Sequence, residues 1–530
     1  MPRPRPRSFF FTLAAGVALL VARGHGQDPG EARTALYPYT LPAVDRGLSM
    51  AEGPGPAGAS TLAHGAKLAV TLDRTGRSGA PYTAGRVLVK FRDGTTSAVR
   101  LNSLARMSAV STVSKQPSYA NFDVVRIDPN DDAEAVAEEL GRRPEVEYAQ
   151  PAYRVHKAFV PNDQYYQQVQ WNMPLIDMER AWDIQGTAGS TITVAVLDSG
   201  VAFENKVIRF RGEAFVDDLG NVHPALGTVD IPFAAAPDLA TAGRFVAPHD
   251  FIWDDSDPVD LDGHGTHVSG TIGELTNNGI GLAGVAFNVK LMPIKVIDSE
   301  WDDIFGAPNA GTDETVARGI RYAADNGAKV INMSIGRTGP PSPVIEDAIK
   351  YAVGKGTFVA IAAGNDFLDG SPTDVVAEIA SRVQGAVSVA AVDRASNHAF
   401  YSSAGTWVEI AAPGGASRGF GSSGVIFQQT LDLAFGVCLV EPGACGTRPS
   451  FAPPRFDVFN YFGFQGTSMA APHVSGVAAL LMQQGITSPA AVEAALERFA
   501  KDLGDPGRDN NFGFGLIQAR DTLRGLGLAK

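Results

Sequence analysis

From about residue 165 onward the chain alternates short, continuously apolar runs with helical segments, and this pattern admits very few folds. The runs are Thr193–Leu197, Val289–Ile297, Val330–Ser334, Phe358–Ala363 and Ala386–Val392. A strand without polar alternation must be buried on both faces, as a parallel strand is when helices cover the sheet on either side. Between two of these runs, residues 315–326 place Val316, Ile320 and Ala323 on one face of a helix that stops at Gly327. The pattern predicts an α/β domain with a doubly wound, mostly parallel sheet flanked by helices. In such sheets chemistry gathers just beyond the carboxyl ends of the strands.

Upstream the texture changes. Arg3, Arg5 and Arg7 precede an uncharged stretch, Phe9–Ala22, closed by Arg23-Gly-His-Gly26. That is the layout of a secretory signal peptide over residues 1–26, so the chain is expected to be secreted and free of the membrane once the leader is cut. Residues 27–82, rich in Gly, Pro, Ala and Ser, read as a linker. Beyond them Val87–Phe91, Asp123–Asp128 and Val146–Tyr153 read as extended pieces and Ala133–Leu140 as a helix, giving a small α+β module over residues 83–160. The main domain then covers 161–530, with insertions at about 205–250 and 416–460, the second expected to decorate the surface. That insertion carries Cys438 and Cys445, which in an exported chain are expected to form a local disulfide. A net charge of -13 argues against nucleic acid as a partner, because phosphate contacts need clustered Lys and Arg.

Three motifs carry chemistry. Gly466-Thr-Ser-Met-Ala-Ala-Pro-His473 opens a helix of small residues, setting a serine hydroxyl beside free backbone N–H groups and the positive end of the helix dipole. Asp262-Gly-His-Gly-Thr-His-Val-Ser-Gly270 opens another and offers an imidazole able to act as a base near neutrality. Val194-Ala-Val-Leu-Asp-Ser-Gly200 ends a buried strand in an aspartate. Alone, Ser468 is a helix cap, the histidines are core residues or half of a metal site, and Asp198 belongs to an ordinary turn. Together they supply a nucleophile, a base and the carboxylate that orients the base.

Their chain order, Asp then His then Ser, is that of subtilisin. Over roughly residues 165–526 the chain resembles the subtilisin family of serine peptidases. The resemblance implies that Asp198 orients the base, His264 is the base and Ser468 is the nucleophile. It implies that Asn365, in Ala362-Ala-Gly-Asn365, supplies an oxyanion donor beside the Ser468 N–H. Asn332-Met-Ser-Ile-Gly336 resembles the family's edge strand, which pairs with an extended protein or peptide substrate. Ser334, Ile335 and Gly336 are then one wall of the primary specificity pocket and Ala362, Ala363 and Gly364 the other. Small walls leave room for a large aromatic or aliphatic side chain, with Asp366 simply solvated. Thr276-Asn-Asn-Gly-Ile-Gly-Leu282 resembles a calcium loop, Asn278 giving a side-chain oxygen and Thr276, Ile280 and Leu282 carbonyls. The family's aspartate ligand is not recognisable, since Val201-Ala-Phe-Glu-Asn205 stands in its stretch. The acidic run 254–262 reads as a solvated loop. The module at 83–160 resembles the inhibitory propeptide, with a maturation cut between His156 and Gln167, and no organic cofactor is implied.

Two other classes compete. A zinc hydrolase would use Asp262, His264 and His267, but it lacks a glutamate between the histidines and leaves the serine motif unexplained. A catalytically inactive binding protein on the same fold would not need all four catalytic groups, and all four are present.

Overall fold

The structure is a computed structural model, and it describes residues 82–105, 110–113, 116–117, 119–153, 159–216, 222–223, 225–432 and 454–525, with strand pairings at 16–17, 35–36 and 39–40. The signal-peptide segment and the cysteine pair lie outside the described side chains. The chain divides into two units, one of Ala158–Leu528 together with Met1–Leu41, the other of Pro42–Lys157 together with Ala529–Lys530.

The smaller unit runs β1 (Tyr82–Phe91), α1 (Ser97–Ala105), β2 (Val110–Val113), β3 (Asp123–Ile127), α2 (Ala133–Gly141) and β4 (Val146–Tyr153). Its strands form an antiparallel sheet in the order β2-β3-β1-β4. Asp132 starts α2 by accepting the N–H groups of Glu134 and Ala135, and Ala133, Val136, Ala137 and Leu140 share one core with Val87, Val89 and Val125. Helix α1 and strand β2 were not legible in the sequence. Helix α1 buries only Ser103 and Leu104, too thin a stripe to show as a period.

The larger unit carries β5 (Thr193–Asp198), β6 (Lys206–Gly212), β7 (Gly227–Phe233), β8 (His249–Asp250), α3 (His264–Gly273), β9 (Lys290–Lys295), α4 (Asp313–Asp325), β10 (Val330–Met333), α5 (Pro343–Gly354), β11 (Phe358–Ala362), α6 (Val375–Ala380), β12 (Ala386–Val392), β13 (Ile410–Pro413), β14 (Ile426–Leu431), β15 (Phe459–Phe464) and α7 (Thr467–Gln483). Seven strands form one parallel sheet in the order β8-β9-β5-β10-β11-β12-β13. After β5 the chain runs to the edge at β8 and comes back inward to β9, then crosses to place β10 on the other side of β5. The strand order therefore reverses at β5, where open α/β sheets form their crevice. Asp198 is the last residue of that strand.

Strand β10 is interior, paired with β5 and β11, so the expectation of an edge strand at Asn332–Gly336 is corrected. Its residues are buried on both faces, and only the segment from Ser334 onward runs free of the ladder. Each insertion contributes strands to an antiparallel pair among the described residues, β6 with β7 and β14 with β15. They are not decoration. Phe233 and Phe456 stack at 5.2 Å, and every residue of β14 is buried.

Helix α4 follows its predicted face closely. Thr312 and Thr315 form a reciprocal cap at its start, Gly327 follows with a positive φ of 85°, and Val316, Ile320 and Ala323 are buried. Replacing Ile320 by Ala deletes fully buried methylenes, so unfolding in urea should show a loss of about 2–5 kcal/mol. The measurement belongs in a Ser468→Ala background, where self-digestion cannot distort it.

Candidate active site

The carboxylate and imidazole meet at the sheet's switch point. Asp198 is fully buried, and its Oδ1 accepts the Ser199 N–H at 2.8 Å and His264 Nδ1 at 2.7 Å. With Nδ1 protonated by that contact, Nε2 is the nitrogen left to act as a base. Helix α3 can come this close because its second residue is glycine. A β-carbon on Gly265 would collide with the Gly200 carbonyl and stand 3.1 Å from Asp198 Cβ.

Two buried charges that motif reasoning missed hold this corner. Asp260 accepts the Ser199 hydroxyl at 3.0 Å and the N–H groups of Asp262, Gly263 and Thr266 at 3.0, 2.8 and 2.9 Å. The solvated-loop expectation for residues 254–262 is therefore corrected at Asp260, which is buried and ties the end of β5 to the start of α3. Lys295 is paired in register with Asp198 on β9. Its buried ammonium donates to the carbonyls of Ser199 at 2.9 Å and Val259 at 3.2 Å and pairs with Asp302 at 2.8 Å. A buried ammonium needs such partners, and here it uses them to fix the residue after Asp198.

Ser468 is the second residue of α7, where its N–H is one of the donors a helix start leaves without an intrahelical acceptor. Its hydroxyl donates to the Ser334 carbonyl at 3.1 Å and not to His264, a contact that an enzyme without substrate need not yet make. Pro472, four residues on, has no N–H to offer the Ser468 carbonyl. The Ser334 hydroxyl replaces that donor at 2.7 Å. Asn332 Nδ2 donates to the Ser334 hydroxyl at 2.9 Å, and Ser475 donates to Asn332 Oδ1 at 2.8 Å. This buried chain locks α7 onto β10. Ser475 went unremarked in the sequence, although a serine in an otherwise apolar, fully buried helix was the available signal.

Asn365 lies just past β11, and its Oδ1 accepts both the N–H and the hydroxyl of Thr467, at 2.9 and 3.0 Å. Two donors on one atom identify it as the oxygen and leave Nδ2 free to donate. A β-carbon on Gly466 would stand 3.7 Å from both Asn365 Nδ2 and the Ser468 nitrogen, so glycine keeps the space between these donors open. Ser334, Ile335, Ala362 and Ala363 are buried at the ends of neighbouring strands, with Gly336 and Gly364 beside them.

Burial works against the His264 imidazolium, yet Asp198, with Asp262 and Asp260 behind it, outweighs that and lifts the pKa to about 9. Asp262 is itself pushed up to about 6, chiefly by burial and then by Asp260. His267 behaves in the opposite way: burial lowers it to about 3. Its Nε2 donates to the Ile426 and Phe462 carbonyls, both at 3.1 Å, and its ring stacks on Phe464 at 4.3 Å. Nε2 therefore carries the ring proton, and among the described residues Asp262, His264 and His267 do not bring their ligand atoms to one point as a zinc site requires.

The comparisons with known proteins decide the class. Residues 189–515 match the subtilase family. The chain belongs to the subtilase family. Residues 70–152 match the fervidolysin N-terminal prodomain. A thermophilic serine proteinase of Bacillus sp. (strain AK1) is 31% identical over 443 residues, spanning 83% of this chain and 88% of that protein. An extracellular protease of Xanthomonas campestris pv. campestris is 30% identical over 477 residues, spanning 87% of this chain and 70% of its own length. A solved protease from Pseudoalteromonas arctica superposes with a TM-score of 0.51 at 28% identity, covering 70% of this chain and all of that one. This subtilase is a serine endopeptidase made with a prodomain. It needs no organic cofactor.

A subtilase base must be neutral to take the serine's proton, so kcat/KM should rise with pH along a limb set by His264 and centred on the alkaline side of neutrality. Replacing Asp262 by Asn removes one carboxylate that favours the imidazolium and should move that limb to lower pH. Profiles of kcat/KM between pH 5 and 10 for the two proteins check this. An unmoved limb would contradict the electrostatic account.

Proposed function

We propose that this subtilase hydrolyses peptide bonds through an acyl-enzyme on Ser468. Ser468 attacks the carbonyl carbon while His264 Nε2 takes its proton, and Asp198 holds the imidazole and stabilises its charged form. Asn365 Nδ2 and the Ser468 N–H receive the oxyanion. His264 then protonates the leaving amine, and water, activated by the same imidazole, releases the acid. The single observation that carries this reading is the 2.7 Å Asp198–His264 contact, at the same sheet end where two free donors flank an open point. An extended substrate lies along Ser334–Gly336, beyond the end of β10, with Ala362–Gly364 opposite.

The rest of the chain fits a secreted zymogen: a leader at 1–26, an inhibitory propeptide at 83–160 and a peptidase domain from 161. The protein cuts itself between His156 and Gln167. The printed name of the Xanthomonas relative supports an extracellular destination.

We also assign calcium to the loop at 276–282. The loop offers the Thr276, Ile280 and Leu282 carbonyls and the Asn278 amide oxygen, and two carboxylates face it. Asp163 accepts the N–H groups of Asn277 and Asn278, while Asp238 accepts Asn278 Nδ2 at 2.7 Å and the Leu282 N–H at 3.1 Å. Hard oxygen donors and buried carboxylates, with Asp238 driven up to about 7 mainly by burial, suit a divalent cation. Asp238 comes from the 205–250 insertion, which explains why the aspartate expected soon after Asp198 could not be found. Bound calcium would pin this loop to the turn before the short helix Tyr166–Val169 through Asp163.

Three outcomes follow. Ser468→Ala should remain full length and leave casein intact, while the wild type shortens to a product beginning near residue 160. If the variant matures and digests casein as well as the wild type, Ser468 is not the nucleophile. Asn365→Ala should lower kcat by about 10²–10³ with little change in KM, the magnitude known for the loss of such an amide in subtilisin. Excess chelator should lower the melting temperature of the Ser468→Ala protein and calcium should restore it; Asp238→Asn should blunt both effects.

A further inference from the structure

The walls assigned to the primary specificity pocket enclose a carboxylate that no sequence motif revealed. Asp374 precedes α6 and is 3% exposed. Its Oδ1 caps that helix, accepting the N–H groups of Val376 at 2.9 Å and Ala377 at 2.8 Å. No donor reaches its Oδ2 among the described residues. That oxygen lies against Gly336, where an added β-carbon would run into Oδ2 and stand 3.0 Å from Oδ1. On the opposite wall a β-carbon on Gly364 would stand 3.5 Å from Asp374 Cβ. The carboxylate therefore lies between the two walls, at their two glycines, the residues that leave it uncovered.

Among the described residues no cation hydrogen-bonds to it, and Arg337 acts on it only at a distance. Arg337 is the neighbouring positive charge, and it is bound through two nitrogens to Asp313 at 2.7 and 2.6 Å and through the third to the Thr338 and Pro340 carbonyls. The other charged neighbour is Asp366, half-buried and of the same sign. Burial first, and then Asp366, pushes the Asp374 carboxyl up to about 7, as expected of an acid short of a partner.

We propose that Asp374 is a specificity-determining residue that makes the pocket between Gly336 and Gly364 select lysine or arginine before the scissile bond. The inference rests on the assignment of those two walls in the proposed function, and it replaces the expectation of an aromatic or aliphatic side chain. An entering ammonium or guanidinium meets the free Oδ2 where water is scarce, so both charges are paired. A phenyl or isobutyl group would instead seal that oxygen without a partner.

The test uses the matured enzyme and peptide p-nitroanilides that differ only before the scissile bond, carrying Lys, Arg, Phe or Leu. The wild type should favour Lys and Arg by tenfold or more in kcat/KM, roughly the scale of one charge-assisted contact. Asp374→Asn, which keeps the helix cap, should lower the Lys-to-Phe ratio by about 10²-fold. Benzamidine, a small amidinium, should compete against the Phe peptide on the wild type, a measurement that does not depend on the variant folding. An active wild type that prefers Phe or Leu, or a ratio unmoved in Asp374→Asn, overturns the inference and leaves the peptidase reading standing. A wild type that cleaves none of the peptides and resists serine-directed phosphonylation overturns the peptidase reading, and the inference with it.

Discussion

The catalytic corner depends on one contact, the hydrogen bond between the Asp198 carboxylate and His264 Nδ1 at 2.7 Å, buried where water cannot compete for either partner. Burial alone would disfavour both charges, so the pair persists because the surroundings supply the missing solvation. Asp260 gathers the Ser199 hydroxyl and the first N–H groups around α3, and Lys295 grips the Ser199 carbonyl from the next strand. Each partner removes a freedom that would let the imidazole drift. The price is a cluster of buried charges that only a rigid sheet can hold in place.

The sheet supplies that rigidity because its strands have no polar side to turn outward. Val194–Leu197 are buried on both faces, so the register that sets Asp198 opposite Lys295 cannot slip without exposing apolar surface or burying charge. The serine side is fixed by different means. Helix α7 is buried nearly all round, and the carbonyl that Pro472 leaves without a donor is taken by Ser334. The helix therefore has one seat on β10, and the nucleophile, its own N–H and Asn365 face the same space. Positioning is the common currency of these contacts, and a displacement of an ångström would spoil the reaction they serve.

Much of this was legible in the chain. The apolar runs predicted five strands of the parallel sheet, and the spacing of Val316, Ile320 and Ala323 with the stop at Gly327 predicted α4, whose start the Thr312 cap sets at Asp313. Asp198, His264, Ser468 and Asn365 stand at the ends of the predicted elements because short motifs encode local turns as well as chemistry. Features set by distant pairing were not legible. Strand β10 was expected at an edge from the family resemblance alone, and its pairing with β5, far upstream in the chain, is what places it inside the sheet. Asp238 and Asp374 were missed for the same reason: a carboxylate in an insertion or a loop reads as solvated until the fold brings Leu282 or Gly336 against it. The 416–460 insertion looked ornamental, yet β14 from it, paired with β15, accepts the Nε2–H hydrogen bond of His267 and so gives the two histidines of one motif different roles.

The central claim is that the Asp198–His264 pair activates Ser468 and no other hydroxyl. Labelling the matured protein with a fluorophosphonate, followed by mass analysis of its peptides, tests it directly, because the reagent reports nucleophilicity without requiring a substrate preference. The account predicts a single adduct, on the peptide containing Ser468, and its loss in His264→Ala. An adduct on another residue, or undiminished labelling of Ser468 without His264, would contradict it.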